Sequence, residues 1–103
     1  VTRICVLQIL DKRLASQIQA LIDRDEQAPQ ADRDKVLHTF SVSFGSGIEA
    51  DIKVCNGDSG LWVDAVLFDQ GREVDTLEPS TLLLGEYEWE YAGNTYLAEL
   101  VAE

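Results

Sequence analysis

HTFSVSFGSGIEADIKV, residues 38–54, alternates apolar and polar side chains on both sides of a Gly-Ser-Gly break. A period of two marks a strand with one buried face. Two such runs around a short break make a hairpin, and the sequence chooses between its registers. A two-residue loop of Ser46-Gly47 sets Phe44 opposite Glu49 and Val42 opposite Asp51. A three-residue loop sets Phe44 opposite Ile48, Val42 opposite Ala50, Phe40 opposite Ile52 and His38 opposite Val54. Only the second register gathers the apolar residues on one face, so it is the register expected. It needs a left-handed residue at the third loop position, which Gly47 can supply. Ser43–Glu49, Ser41–Asp51 and Thr39–Lys53 then form the polar face.

Downstream the same reading continues. After the polar loop NGDSG (56–60) comes the strand LWVDAVLF (61–68), a turn at Asp69-Gln70-Gly71, and a short return strand in REVDTL. EPSTLLLG (78–85) breaks the alternation, and Pro79 there suits a turn or the start of a short helical turn. The last unit is a hairpin of 86–92 with 95–101, joined through Gly93-Asn94. In that register Tyr91 faces Tyr96, Trp89 faces Ala98 and Tyr87 faces Leu100, all on one side. Glu86, Glu88 and Glu90 line the other side, with Glu88 opposite Glu99. The ring-bearing side is expected in the core and the carboxylate side in water. Like charges directly opposite each other cost roughly 0.2–1 kcal/mol.

Upstream the period changes. Ile4, Leu7, Leu10, Leu14, Ile18, Leu21 and Ile22 recur at three- and four-residue steps, so residues 1–26 read as a helical segment with one apolar stripe. Residues 2–9 carry an alternative. They are rich in β-branched side chains, Cys5, Val6 and Ile9 fall off the stripe, and a strand there would leave Asp11 as the helix N-cap. Residues 27–36, with Pro29, mixed charges and no periodicity, read as a linker. The fold class expected is α+β: one domain over residues 1–103, with an N-terminal amphipathic helix packed on an antiparallel, meander-like sheet of five to six strands in the acidic region 37–103.

The net charge of −11 is unevenly placed. Residues 1–36 carry six bases (Arg3, Lys12, Arg13, Arg24, Arg33, Lys35) against six acids. Only Lys53 and Arg72 stand against the thirteen acids that follow. A polyanionic partner, whether nucleic acid or an anionic membrane, is disfavoured by that balance, and a basic protein partner suits it. The opening VTRICVLQIL is short, holds Gln8 and ends in charge, so it reads poorly as a signal peptide. The lack of an initiating Met points to a processed chain, and a cytoplasmic location is the default. Cys5 and Cys55 stand among apolar residues and read as reduced and partly buried; no zinc spacing surrounds them.

Candidates for chemistry are few. Gly57-Asp58-Ser59-Gly60 is similar to the nucleophile motif of trypsin-like serine proteases, and His38, Asp51 and Ser59 fall in His–Asp–Ser order. The motif's next glycine is Leu61 here, and the template needs much wider spacings than this chain offers. The tetrapeptide reads as a polar turn, and His38 as a packing residue. No metal site and no cofactor is expected. Two binding roles remain. The first is a non-catalytic interaction or regulatory module, homodimeric, that presents Glu86, Glu88, Glu90 and Glu99 to a basic partner. The alternative is a small-ligand binder whose aromatic pocket forms around Trp62 and Asp64. An enzyme would have to draw on Asp64 or His38 in a cleft, and is the least favoured class.

Overall fold

A computed structural model describes residues 2–24, 36–57 and 60–103. The stretch 25–35, which holds most of the expected linker, and Asp58-Ser59 of the GDSG turn lie outside the described residues. The elements run in the order β1 (Thr2–Leu10), α1 (Lys12–Asp23), β2 (Val36–Gly45), β3 (Ile48–Asn56), β4 (Leu61–Asp69), β5 (Arg72–Thr76), β6 (Gly85–Tyr91) and β7 (Asn94–Ala102). The α+β expectation holds as a helix with antiparallel-rich sheet. The single meander of five to six strands does not: seven described strands form two sheets, β1-β7-β6 and β2-β3-β4-β5.

The four-stranded sheet is a meander, and its first hairpin has the register read from the alternation. His38 faces Val54, Phe40 faces Ile52 and Val42 faces Ala50, while Thr39, Ser41 and Ser43 face Lys53, Asp51 and Glu49. Gly47 is left-handed at φ 81°. One detail differs: a bulge lets Gly45, not Phe44, pair with Ile48. The inner face that results is among the driest surface of the chain, with Ala50, Ile52, Val54 and Leu67 fully buried.

The helical reading of residues 2–9 is overturned. They form β1, which runs parallel to β7 from Thr2 opposite Asn94 to Leu10 opposite Ala102. The helix starts only after Asp11, whose Oδ1 accepts the Leu14 N–H at 3.0 Å. The strand wins because the β-branched residues fit a pleated ladder and because β7 offers a full row of backbone partners. Replacing Asp11 by Ala removes the cap, and a loss of about 1 kcal/mol is expected in urea unfolding. The chain end reinforces this junction: Lys12 N–H donates to the Glu103 carbonyl at 2.8 Å, and Glu103 N–H donates to that of Leu10 at 3.0 Å.

α1 buries Ala15, Ile18 and Ile22, and with Leu10 they join a hydrophobic cluster fed by both sheets. Gln19 anchors the helix to the stretch before β6. Its Nε2 donates to the Thr81 carbonyl at 3.1 Å and its Oε1 accepts the Leu83 N–H at 3.1 Å. That stretch holds no helical turn, one of the two readings Pro79 allowed; Ser80 makes an isolated bridge to Val63 instead. The anchor carries Leu83 into the core.

The terminal hairpin is shifted. Its turn is Ala92-Gly93, both at positive φ, not Gly93-Asn94. A tight primed turn takes glycine best at its second position, and Gly93 occupies that place only in this register. Trp89 therefore faces Tyr96 and Tyr87 faces Ala98. A shift of two residues leaves every side chain on its expected face. The rings lie inward, with Trp89 1% exposed. Phe44 of the other sheet meets Trp89 and Tyr96 edge-on at 6.1 and 5.3 Å between centroids, so aromatic contacts join the two layers.

Candidate interaction face

The inner face of the three-stranded sheet is covered by the core, and its outer face is open. Alternation along the strands sorts the residues. From β1 the outer face receives Arg3, Cys5, Leu7 and Ile9; from β7, their partners Thr95, Leu97, Glu99 and Val101. β6 adds Glu90, Glu88 and Glu86, opposite Thr95, Leu97 and Glu99. The two outer strands lie about 10 Å apart, which is the width of one packed helix.

Two halves of this face differ in chemistry. On the β6 side Glu86, Glu88 and Glu90 are exposed and Glu99 is half-buried. The like-charge pair is Glu86 with Glu99, which corrects the expected Glu88–Glu99 pair; Glu88 faces buried Leu97. On the β1 side Leu7 and Ile9 are 56% and 52% exposed. Cys5 is exposed too, not partly buried as its neighbours implied, and both cysteines are free. A hollow of about 410 Å³ lies across the seam between the halves, walled by Arg3, Cys5 and Leu7 on one side and Glu86 and Glu99 on the other.

Sequence reasoning found the glutamates and missed the apolar half. The helical reading puts Leu7 on the apolar stripe and Ile9 off it. β1 is apolar at both parities, so period two does not stand out along it, and the chance agreement of Ile4, Leu7 and Leu10 with a helical step was the stronger signal.

Trp62 and Asp64 do not join this face. They lie on the outer face of the four-stranded sheet, opposite Cys55 and Lys53, and both are half-buried. A Cβ built on Gly57 would come within 2.8 Å of Trp62 Nε1, so the indole lies directly against Gly57. Cys55 beside them is buried, and burial first, then the Asp64 carboxylate, pushes its thiol pKa up, which makes it a poor nucleophile. His38 is half-buried and stacks on Phe40 at 6.3 Å, as a packing residue does. Among the described residues no group of three or more His, Cys, Asp or Glu side chains gathers as a metal site would, and no helix is long and apolar enough to cross a membrane.

The core side of β6 carries a titration of its own. Tyr87 Oη donates into the carbonyls of Leu82 and Leu83 at 2.9 and 2.8 Å, and burial pushes its pKa up to about 12. The fold thus prefers the neutral phenol. Below pH 10, where the unfolded phenol is also neutral, this has no effect on stability. Between pH 10 and about 12 the unfolded chain ionises first and stability falls. After allowance for partial solvent access, the loss is roughly 1–2 kcal/mol. Urea titrations at pH 9 and pH 12 should show a smaller difference for Tyr87→Phe than for the parent chain. Tyr91 contributes in the same direction, because its Oη donates to Asp69 Oδ2 at 2.7 Å and that bond holds the proton.

No protein-family model matches this chain, and no curated protein or solved structure matches it.

Proposed function

We infer that the chain is a non-catalytic interaction module, working as a homodimer, whose open three-stranded face binds a basic protein partner. The observation that supports this best is the pairing of two exposed chemistries on one face: Leu7 and Ile9 on β1, and the Glu86–Glu88–Glu90 row on β6. Apolar surface in water is the part of an interface that supplies affinity, and the charged margin selects the partner and its orientation. A face about 10 Å wide suits one amphipathic helix with an apolar stripe and Lys or Arg along one flank.

The test is affinity capture from the native host with two baits, the parent chain and a chain carrying Glu86→Gln, Glu88→Gln and Glu90→Gln. A basic partner should be held by the first and lost from the second. Its affinity should fall about tenfold or more between roughly 50 and 300 mM salt. A partner held equally by both baits, or equally in high salt, removes the proposal. Binding of a small ligand near Trp62 is the weaker reading, because the indole is packed on Gly57 and the hollow described above lies on the other sheet.

A further inference from the structure

The three-stranded sheet ends on β6 at one side and on β1 at the other. An edge strand presents a row of backbone N–H and C=O groups without ladder partners, and proteins blunt such edges with charge, proline, bulges or cover. β6 is blunted by a glutamate at every second position. β1 is not. Its sequence TRICVLQIL holds no acid, proline or glycine, Arg3 is its one charge, and its ladder with β7 is unbroken from end to end. β2 of the other sheet comes close to β1, but among the described residues no ladder joins them.

We propose that β1 pairs antiparallel with β1 of a second copy of this chain about a twofold axis, giving a continuous six-stranded sheet in the order β6-β7-β1-β1-β7-β6. This rests on the homodimer reading above and states how that dimer is built. A strand paired antiparallel with its own copy is self-complementary, as a twofold contact requires. Charge directs the choice of edge. Each copy carries a net −11, and contact through the glutamate rows would set like charges against like. β1 is the strand of its sheet farthest from that row. Burial directs it too, because Leu7 and Ile9 of the two copies would flank the seam and shield surface that each copy alone leaves wet. β2 is an edge with no Asp, Glu, Lys or Arg at all, but its ladder shifts register near both ends and its outward residues are Thr39, Ser41 and Ser43. The paired sheet has an apolar centre and two acidic margins, which enlarges the face offered to the partner.

The seam is small beside a standard interface of roughly 1,600 Å², so association in the micromolar range is expected. Sedimentation of the whole chain from about 1 μM to 1 mM should show a monomer–dimer equilibrium. Leu7→Glu with Ile9→Glu, at sites already exposed, should leave the circular-dichroism spectrum unchanged and raise the dimer dissociation constant about tenfold or more. A second measurement reads the geometry. With Cys5→Ser, Glu88→Cys and a nitroxide on the new thiol, the two labelled β6 strands lie five strand spacings apart, about 24 Å across the sheet. Pulsed dipolar spectroscopy should return a distance near that value. A chain monomeric throughout the range, a dimer indifferent to the glutamate pair, or a label distance that fits face-to-face stacking or β2 pairing overturns the proposal. Partner capture by a chain that stays monomeric would count against the homodimer and its seam but not against the partner; loss of capture by an intact dimer would count against the partner reading alone.

Discussion

Trp89→Ala should cost about 3–5 kcal/mol, a large part of the 5–15 kcal/mol that holds most domains of this size folded. The indole is 1% exposed, so nearly all of its surface leaves water on folding. It stacks on Tyr87 at 6.3 Å between centroids and meets Phe44 edge-on. Its Nε1 reaches across to the Ala65 carbonyl at 3.4 Å, a long contact that adds little energy but fixes the ring's direction. Removing the side chain takes away one of the ring contacts between two layers that share no ladder among the described residues, and neither β6 nor β4 can collapse into the space without breaking its own pairs. The melting temperature should fall by more than roughly 10 °C. Trp89→Phe, which keeps most of the apolar volume, should cost clearly less. If Trp89→Ala melts within about 3 °C of the parent chain, the two sheets are not joined through this ring.

Three consecutive leucines before β6 give the second large effect, with its own internal control. Leu83 has no exposed surface, whereas Leu82 is 64% and Leu84 37% exposed. Leu83→Ala should destabilise by about 2–5 kcal/mol, through lost transfer energy and the cavity left under α1. Leu82→Ala should stay within roughly 0.5 kcal/mol of the parent, and Leu84→Ala close to it. Urea midpoints of the three variants decide the matter. Equal losses at Leu82 and Leu83 would mean that the Gln19 anchor does not set which leucine turns inward.

How far the sequence could be read depended on whether one period dominated locally. In 38–54 every apolar residue fell on one parity, so a single register satisfied burial, and the observed ladder has it apart from the bulge at Gly45. In 85–101 the faces were legible because Glu and aromatic residues alternate, but the turn was not. Gly93 can sit first or second in a two-residue turn, and both choices bury the same rings. β1 was misread because apolar residues occupy both of its parities, one facing the core and one the open surface. Its partner β7 is the last strand of the chain, and nothing local announces a parallel pair of such sequence separation. The carboxylate row of the candidate face was therefore visible in the sequence, and its apolar half was not. The division into two sheets was hidden for a related reason: alternation tells which side of a strand is dry, but not which strands share the ladder.

The most direct test of the account is the accessibility of Trp89 itself, in a Trp62→Phe chain where it is the one indole. Blue-shifted emission and slow quenching by acrylamide are expected in the native state, with both lost on urea unfolding. Emission and quenching of the native protein equal to those of the unfolded chain would place the ring in water. The assignment of a dry ring-bearing face and a wet carboxylate face would then be contradicted.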